Sequence, residues 1–91
     1  MLDIVQTTLF NKQLKKCRRR GLDFDEFGKV VGLLQRQQEL PPRYHDHALS
    51  GNRAGLRDCH IKPDWVLIYE VREAELVLLL VETGSHSDLS L

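Results

Sequence analysis

The sequence predicts an α+β domain: two N-terminal helices packed on a small, mainly antiparallel β-sheet, in the order β-α-α-β-β-β. Three observations carry that expectation. Apolar residues recur at helical spacing from residue 8 to residue 34, the period changes to alternation after Ala54, and two runs rich in Val, Leu, Ile and Tyr close the chain. Strands that follow the helices in succession, rather than alternating with them, argue against a doubly wound parallel sheet. The 91 residues suffice for one domain spanning 1–91. A chain of this length buries only about 60–65% of its unfolded surface, so its core must be compact.

Leu2–Gln6 reads as a short strand. Thr8 is placed to cap a helix reaching Arg20, with Phe10, Leu14 and Cys17 on one face and Gly21 as its C-terminal stop. Asp23 opens the second helix, and Glu26 three positions later resembles the reciprocal partner of a capping box. Phe24, Phe27, Val30, Val31 and Leu34 form its apolar stripe, and Pro41-Pro42 ends the helical region. From Ala54 onward, Leu56, Asp58 and His60 fall on one side of a strand, with Arg57, Cys59 and Ile61 on the other. Lys62-Pro63-Asp64 reads as a turn. Trp65–Val71 and Glu75–Thr83 form a hairpin of core strands around Arg72-Glu73-Ala74.

Composition excludes several classes of protein. With 42% hydrophobic and 29% charged residues the chain is expected to fold rather than remain disordered. Its longest apolar stretch, Leu76–Val81, is far too short to span a membrane. Cys17 and Cys59 are isolated, which suits a reducing compartment better than a disulfide scaffold. No charged start followed by an apolar run marks a leader, so the cytoplasm is the expected location. Net charge is zero but unevenly spread: residues 1–62 carry 12 Lys and Arg against 7 Asp and Glu, whereas residues 63–91 carry one Arg against six acids. Lys12, Lys15, Lys16, Arg18, Arg19 and Arg20 crowd into the first helix, giving a cationic face that is either a phosphate-binding surface or simply solvated.

The four histidines stand at element ends, where an antiparallel sheet can gather distant segments at one rim. His45 and His47 precede the first strand of the second half, His60 ends it, and His86 follows the last strand. His60 and Asp64 flank one tight turn. Imidazole titrates near pH ~6.5, so a set of this kind can both accept and donate protons at neutral pH. Metal-independent RNA cleavage needs a base for the ribose 2′-OH, an acid for the leaving 5′-oxygen and positive charge for the phosphorane-like transition state. Arg43, Arg53 and Arg57 are the nearest candidates for phosphate contact. A zinc module competes, because His45 and His47 would share one side of an extended segment with Cys59, His60 and His86 available. No C-x-x-C or helical H-x-x-x-H pair would lock such ligands in place, and neither metal nor cofactor is expected.

Three segments carry a resemblance. Tyr44-His45-Asp46-His47-Ala48-Leu49-Ser50-Gly51, Gly55-Leu56-Arg57-Asp58-Cys59-His60-Ile61-Lys62-Pro63-Asp64-Trp65-Val66-Leu67-Ile68-Tyr69 and Thr83-Gly84-Ser85-His86-Ser87-Asp88-Leu89 resemble the YafQ branch of the RelE/ParE toxin superfamily. The likeness covers the whole chain. It implies a RelE-like fold and the toxin of a type II toxin–antitoxin pair, an endoribonuclease that cuts translated mRNA in the ribosomal A site. Its expected partners are a cognate antitoxin, in an assembly expected to be a heterotetramer, together with the ribosomal RNA and mRNA.

The resemblance places His47, His60, Asp64 and His86 at the family's catalytic positions. His60 and His86 are the acid and base candidates; His47 and Asp64 would orient substrate and steady charge, and Trp65 is expected to pack in the sheet. His45 falls outside the set and is expected at the surface. Two departures stand out. Ser90 occupies the place of an aromatic residue that helps to hold the nucleotide, and Glu82 stands where some relatives carry arginine. A weakened nuclease or a non-catalytic, gyrase-inhibiting ParE-like toxin is therefore the alternative.

Overall fold

The computed structural model describes residues 1–91 and orders them as β1 (Asp3–Gln6), α1 (Thr8–Arg19), α2 (Phe24–Gln35), β2 (His47–Ala48), β3 (Arg57–Lys62), β4 (Trp65–Arg72) and β5 (Val77–Gly84). The five strands form one sheet in the order β1-β5-β4-β3-β2, parallel only between β1 and β5. The α+β architecture is the one the residue pattern predicts, with the two-residue strand β2 added at the edge.

Local chemistry explains the boundaries, and several differ from expectation. The last strand begins at Val77 rather than Glu75, because Glu73–Glu75 form a 3₁₀ turn closed by Leu76 at φ 55°. The cap of α1 is Thr7 rather than Thr8: its hydroxyl accepts from the Phe10 backbone N–H (2.9 Å) and donates to the Val81 carbonyl (2.7 Å). One side chain therefore starts the helix and ties it to β5. Gly21, at φ +70°, follows the helix as a left-handed stop. Asp23 caps α2 through the Glu26 N–H (3.1 Å), but the Glu26 carboxylate accepts from the Tyr44 hydroxyl instead of completing a capping box. The second helix ends at Gln35, well before Pro41-Pro42, because Gln37 turns left-handed (φ 56°) and closes back on Leu34. Pro42 then starts a single 3₁₀ turn ending at Tyr44.

Both helices pack on one sheet face. Phe10, Cys17, Val30, Leu34, Cys59, Ile61, Trp65, Leu67, Leu78 and Leu80 form the main core. Trp65 sits at its centre, 2% exposed, edge-on to Phe24 (5.2 Å between centroids) and stacked on Phe27 (5.5 Å). The opposite face carries a smaller cluster of Val66, Ile68 and Leu89, flanked by Leu49, Leu56 and Val81.

A β-bulge controls what that second face displays. Ile68 pairs with Glu82 while Tyr69 pairs with Leu80, so Val81 is the extra residue. Directly paired residues share a face. The bulge therefore sends Val81 and Glu82 to the open face and returns Thr83 to the helix side, where its hydroxyl accepts from the Trp65 indole N–H (2.9 Å) and donates to the Val66 carbonyl (2.8 Å).

Candidate active site

Strand pairing alone sets two rows of side chains across the open face. His47 pairs with Asp58, Asp58 with Ile68, and Ile68 with Glu82; in the adjoining row His60 pairs with Val66 and Val66 with Gly84. A second bulge, at Ile61, shifts the register between His60 and Lys62, which still pairs with Trp65, and Asp64 follows in the turn. The chain past Gly84 folds into a hydrogen-bonded turn that brings His86 over Asp64.

The four imidazoles meet at this rim. His60 is central: its ring centroid lies 4.9 Å from that of His86, 5.3 Å from His45 and 6.4 Å from His47. His45, expected at the surface, is exposed but adjoins the set, with a left-handed backbone (φ 49°) that closes the preceding 3₁₀ turn. The His47 Nδ1 donates to the His45 carbonyl (2.7 Å), which leaves Nε2 directed at Asp58, 3.8 Å from Oδ2.

Asp64 holds His86 twice through one oxygen, accepting from its backbone N–H (2.9 Å) and its ring Nδ1 (2.7 Å). These two bonds hold the Asp64 carboxyl below the usual carboxylate range, the backbone one foremost. They also fix the His86 tautomer, so that Nε2 faces outward. Around His60 the balance runs the other way. Burial holds its imidazole below the ordinary value, and the neighbouring imidazoles add to this against the opposing pull of Asp58.

Asp58 is the residue that strand alternation positions here without marking it as chemical. It is 3% exposed, its Oδ1 has no hydrogen-bond partner, and it lies 3.6 Å from the His60 Nε2. This buried carboxylate opposes, without cancelling, the effect of burial on the His60 imidazole. Its signal in the sequence is weak, because the same alternation would suit any half-buried polar residue.

The last turn is braced from α1. The Asp88 carboxylate accepts from Arg20 (2.7 Å), Lys16 (3.3 Å) and the Ser85 N–H (3.0 Å), and these contacts hold its carboxyl far below the usual range, that of Arg20 first. Gly84 is required by this approach: a Cβ there would lie 2.9 Å from Asp88 Oδ2 and 3.0 Å from its Cβ. Lys16 and Arg20, counted among the RNA-binding cations, thus anchor the turn that carries His86. Arg18 lies over the Phe24 ring (4.4 Å), and Lys12, Lys15 and Arg19 are exposed.

The remaining cations divide similarly. Arg57 projects to the helix side and pairs with Asp46 (3.3 Å), which also accepts from the Tyr69 hydroxyl (2.5 Å). This fixes the residue between His45 and His47 and so positions both. Arg53 donates to the Leu89 carbonyl (2.7 Å) and lies 3.9 Å from Glu82, whose other oxygen accepts from Gln13 (3.4 Å). Leu89 is buried, whereas Ser90 is exposed with φ 57° and lines a shallow hollow with Leu49, Ser50, Asn52, Arg53 and Leu91.

Comparison with known proteins gives consistent results. Residues 2–91 match the model of a family described as the bacterial toxin of type II toxin–antitoxin systems, YafQ. The mRNA interferase toxin YafQ of Escherichia coli K12 is 34% identical over 88 residues, covering 96% of this chain and 94% of the relative. A crystal structure of a metal-bound toxin from Helicobacter pylori superposes with a TM-score of 0.92 at 44% identity, over 98% of this chain and 99% of the other. YafQ in the E. coli DinJ–YafQ toxin–antitoxin complex superposes with a TM-score of 0.86 at 34% identity, over 97% and 96%.

Proposed function

The chain belongs to the YafQ family, mRNA interferase toxins of type II toxin–antitoxin systems, and we propose that it cleaves mRNA on the ribosome by metal-independent acid–base chemistry with His60 as base and His86 as acid. The observation that carries this reading is the contrast between two adjacent imidazoles. His60 is desolvated and held in the neutral form, whereas His86 rests on the carboxylate of Asp64. A base must start neutral, which burial favours at His60, and an acid needs a fixed ring, which the bonds to Asp64 give His86.

In the proposed reaction the His60 imidazole takes the proton of the ribose 2′-OH. The 2′-oxygen then attacks the neighbouring phosphorus, and the bond from phosphorus to the 5′-oxygen breaks. His86 protonates that oxygen, leaving a 2′,3′-cyclic phosphate on one fragment and a 5′-hydroxyl on the other. Asp64 holds the His86 ring and steadies the charge it carries before donation. His47, its Nδ1 bonded to the His45 carbonyl and its Nε2 directed at Asp58, borders the site and helps to orient the substrate. Arg53, bonded to the Leu89 carbonyl beside the tail, is a candidate cation for the phosphate, and Ser90 can offer a hydrogen bond but no stacking surface.

Incubation with programmed ribosomes and primer extension tests the reading. A mapped cut bearing a 5′-hydroxyl is expected, and it should be undiminished when the toxin is first stripped with EDTA and the chelator removed before the ribosomes are added. Intact mRNA would overturn the nuclease, and intact mRNA with inhibited DNA supercoiling would point to the gyrase-inhibiting class. Cleavage lost on stripping and restored by a transition metal would overturn metal independence.

The pH dependence follows from His60. Its folded-state value lies below 6.5, so the acidic limb of kcat/KM should have its midpoint below 6.5. The unfolded chain takes up that proton at higher pH than the folded one, so the contribution of His60 to stability is complete above 6.5 and is lost as the pH falls below it. A limb centred above 6.5 would assign the base to another group.

We further propose that Lys12, Lys15 and Arg19, which do not brace the Asp88 turn, contact ribosomal RNA. Replacing all three by Ala should lower the slope of log affinity against log salt by about 2 to 3, the scale of one released counterion for each phosphate contact. An unchanged slope would make this face a solvated one. The proposed partner that holds the toxin inactive is a cognate antitoxin, by extension from the E. coli toxin–antitoxin complex, in a heterotetramer. The proposed compartment is the cytoplasm, where translating ribosomes are found; no helix is long and apolar enough to cross a membrane.

A further inference from the structure

Beside the imidazole cluster lies an open cavity of about 510 Å³ in which, apart from His60, no wall residue has a part in the proposed cleavage step. Its wall includes Glu26, Arg43, Tyr44, His45, His60 and Lys62, so it begins at the proposed base and runs toward the N-terminal end of α2. The volume lies within the range of sites that enclose a small organic ligand, roughly 300–1,000 Å³. We propose that this cavity is a guanine-selective subsite for the nucleotide next to the scissile phosphate, with the Glu26 carboxylate reading the base. The proposal rests on the nuclease reading for its substrate, but the cavity and its chemistry stand independently of catalysis.

Glu26 supplies the discrimination. It is the one acidic residue in the cavity wall, and its side chain is 16% exposed. Its Oε1 accepts from the Tyr44 hydroxyl, which receives a hydrogen bond from Arg43 (2.8 Å). The Tyr44 hydroxyl, foremost, holds the Glu26 carboxyl below its usual range, so the group is an anion that can only accept. Among the four RNA bases only guanine offers two adjacent N–H donors, N1–H and the exocyclic amine, on its Watson–Crick edge. Adenine, cytosine and uracil each place an acceptor beside their donor. A carboxylate held in a wall therefore accepts bidentately from guanine and meets a repulsive lone pair on every other base.

The rest of the cavity suits a nucleotide. The Arg43 guanidinium, 4.5 Å over the Tyr44 ring, offers a flat surface of the kind on which unstacked bases rest, and Pro63 adds apolar wall. Lys62, 3.4 Å from Asp23 and about half exposed, stands at the mouth where a phosphate would pass.

Two measurements on the full chain test this. In the first, 5′-GMP and 5′-AMP are titrated against the wild type and the Glu26→Gln variant. The wild type should favour GMP about ten-fold, the scale of one bidentate base contact. The variant should lose that preference or shift toward AMP, because a carboxamide presents the acceptor–donor pair that adenine complements. Equal binding of both nucleotides by the wild type, or an unchanged preference in the variant, would overturn the subsite.

In the second, cut sites are mapped across a mixed mRNA pool, and base frequency flanking the cut is scored as a ratio that partial unfolding does not alter. Guanine enrichment at one flanking position, lost in Glu26→Gln, supports the subsite; identical profiles would overturn its role in cleavage. A wild type that selects GMP yet cuts nothing would instead count against the nuclease reading alone.

Discussion

His86→Ala should lower mRNA cleavage by at least about 100-fold, the usual scale on which general acid–base assistance is lost. The substitution removes the ring whose Nδ1 is bonded to Asp64 at 2.7 Å but keeps the backbone N–H that bonds the same oxygen at 2.9 Å, so the turn after β5 retains its anchor. Arg20 and Lys16 continue to hold Asp88 two residues further on. The His86 side chain is 36% exposed and fills no core position, so stability should change by no more than the small range of surface substitutions, about 0.5 kcal/mol. Lost cleavage with unchanged stability would locate the effect in chemistry. Cleavage within a few-fold of wild type would remove His86 from the acid role and leave the reaction to His60 and His47. Asp64→Asn separates the two functions of the carboxylate. The amide can still accept both bonds and so keep the ring in place, yet it cannot balance a positive charge.

Trp65→Ala should destabilise the fold by about 3–5 kcal/mol, the range for removing a buried aromatic side chain. Trp65 touches Phe24 and Phe27 of α2, and its indole N–H bonds Thr83 on the neighbouring strand, so one residue joins a helix to the sheet. A domain of this size has only about 5–15 kcal/mol in total. At about 4–8 °C per kcal/mol the melting temperature should drop by more than 10 °C in thermal denaturation. Trp65→Phe keeps most of the burial and gives up one hydrogen bond, so its cost should be nearer 1 kcal/mol. A melting temperature unchanged in Trp65→Ala would mean that the aromatic cluster does not hold the second helix on the sheet. Because Thr83 directly precedes Gly84-Ser85-His86, loss of the indole should also loosen the turn that presents His86.

The amino-acid sequence by itself determined the elements that depend on local periodicity. The stripe through Phe24, Phe27, Val30, Val31 and Leu34 could be buried only as a helix, and the alternation through Leu56–Ile61 only as a strand with two unlike faces. It also brought His60 and Asp64 together, because one tight turn separates them whatever the rest of the chain does. The motif resemblance named His47, His60, Asp64 and His86, but not how they meet.

Tertiary structure decided what depends on pairing between distant segments. The bulge at Val81 turns Glu82 toward the open face and sends Thr83 to Trp65, and no local pattern marks where a ladder admits an extra residue. The same holds for the cap at Thr7 rather than Thr8, since two adjacent threonines are equivalent until the Val81 carbonyl selects one. Glu26 is read locally as a helix cap and becomes a cavity wall only when Tyr44 arrives from eighteen residues away. Asp58 follows the same rule: alternation assigns it a face, but only the antiparallel pairing with His47 and the neighbouring His60 makes it a buried charge among imidazoles. Helical and strand periods are written within a few residues, whereas a charge acquires its chemistry from the partners that folding places beside it.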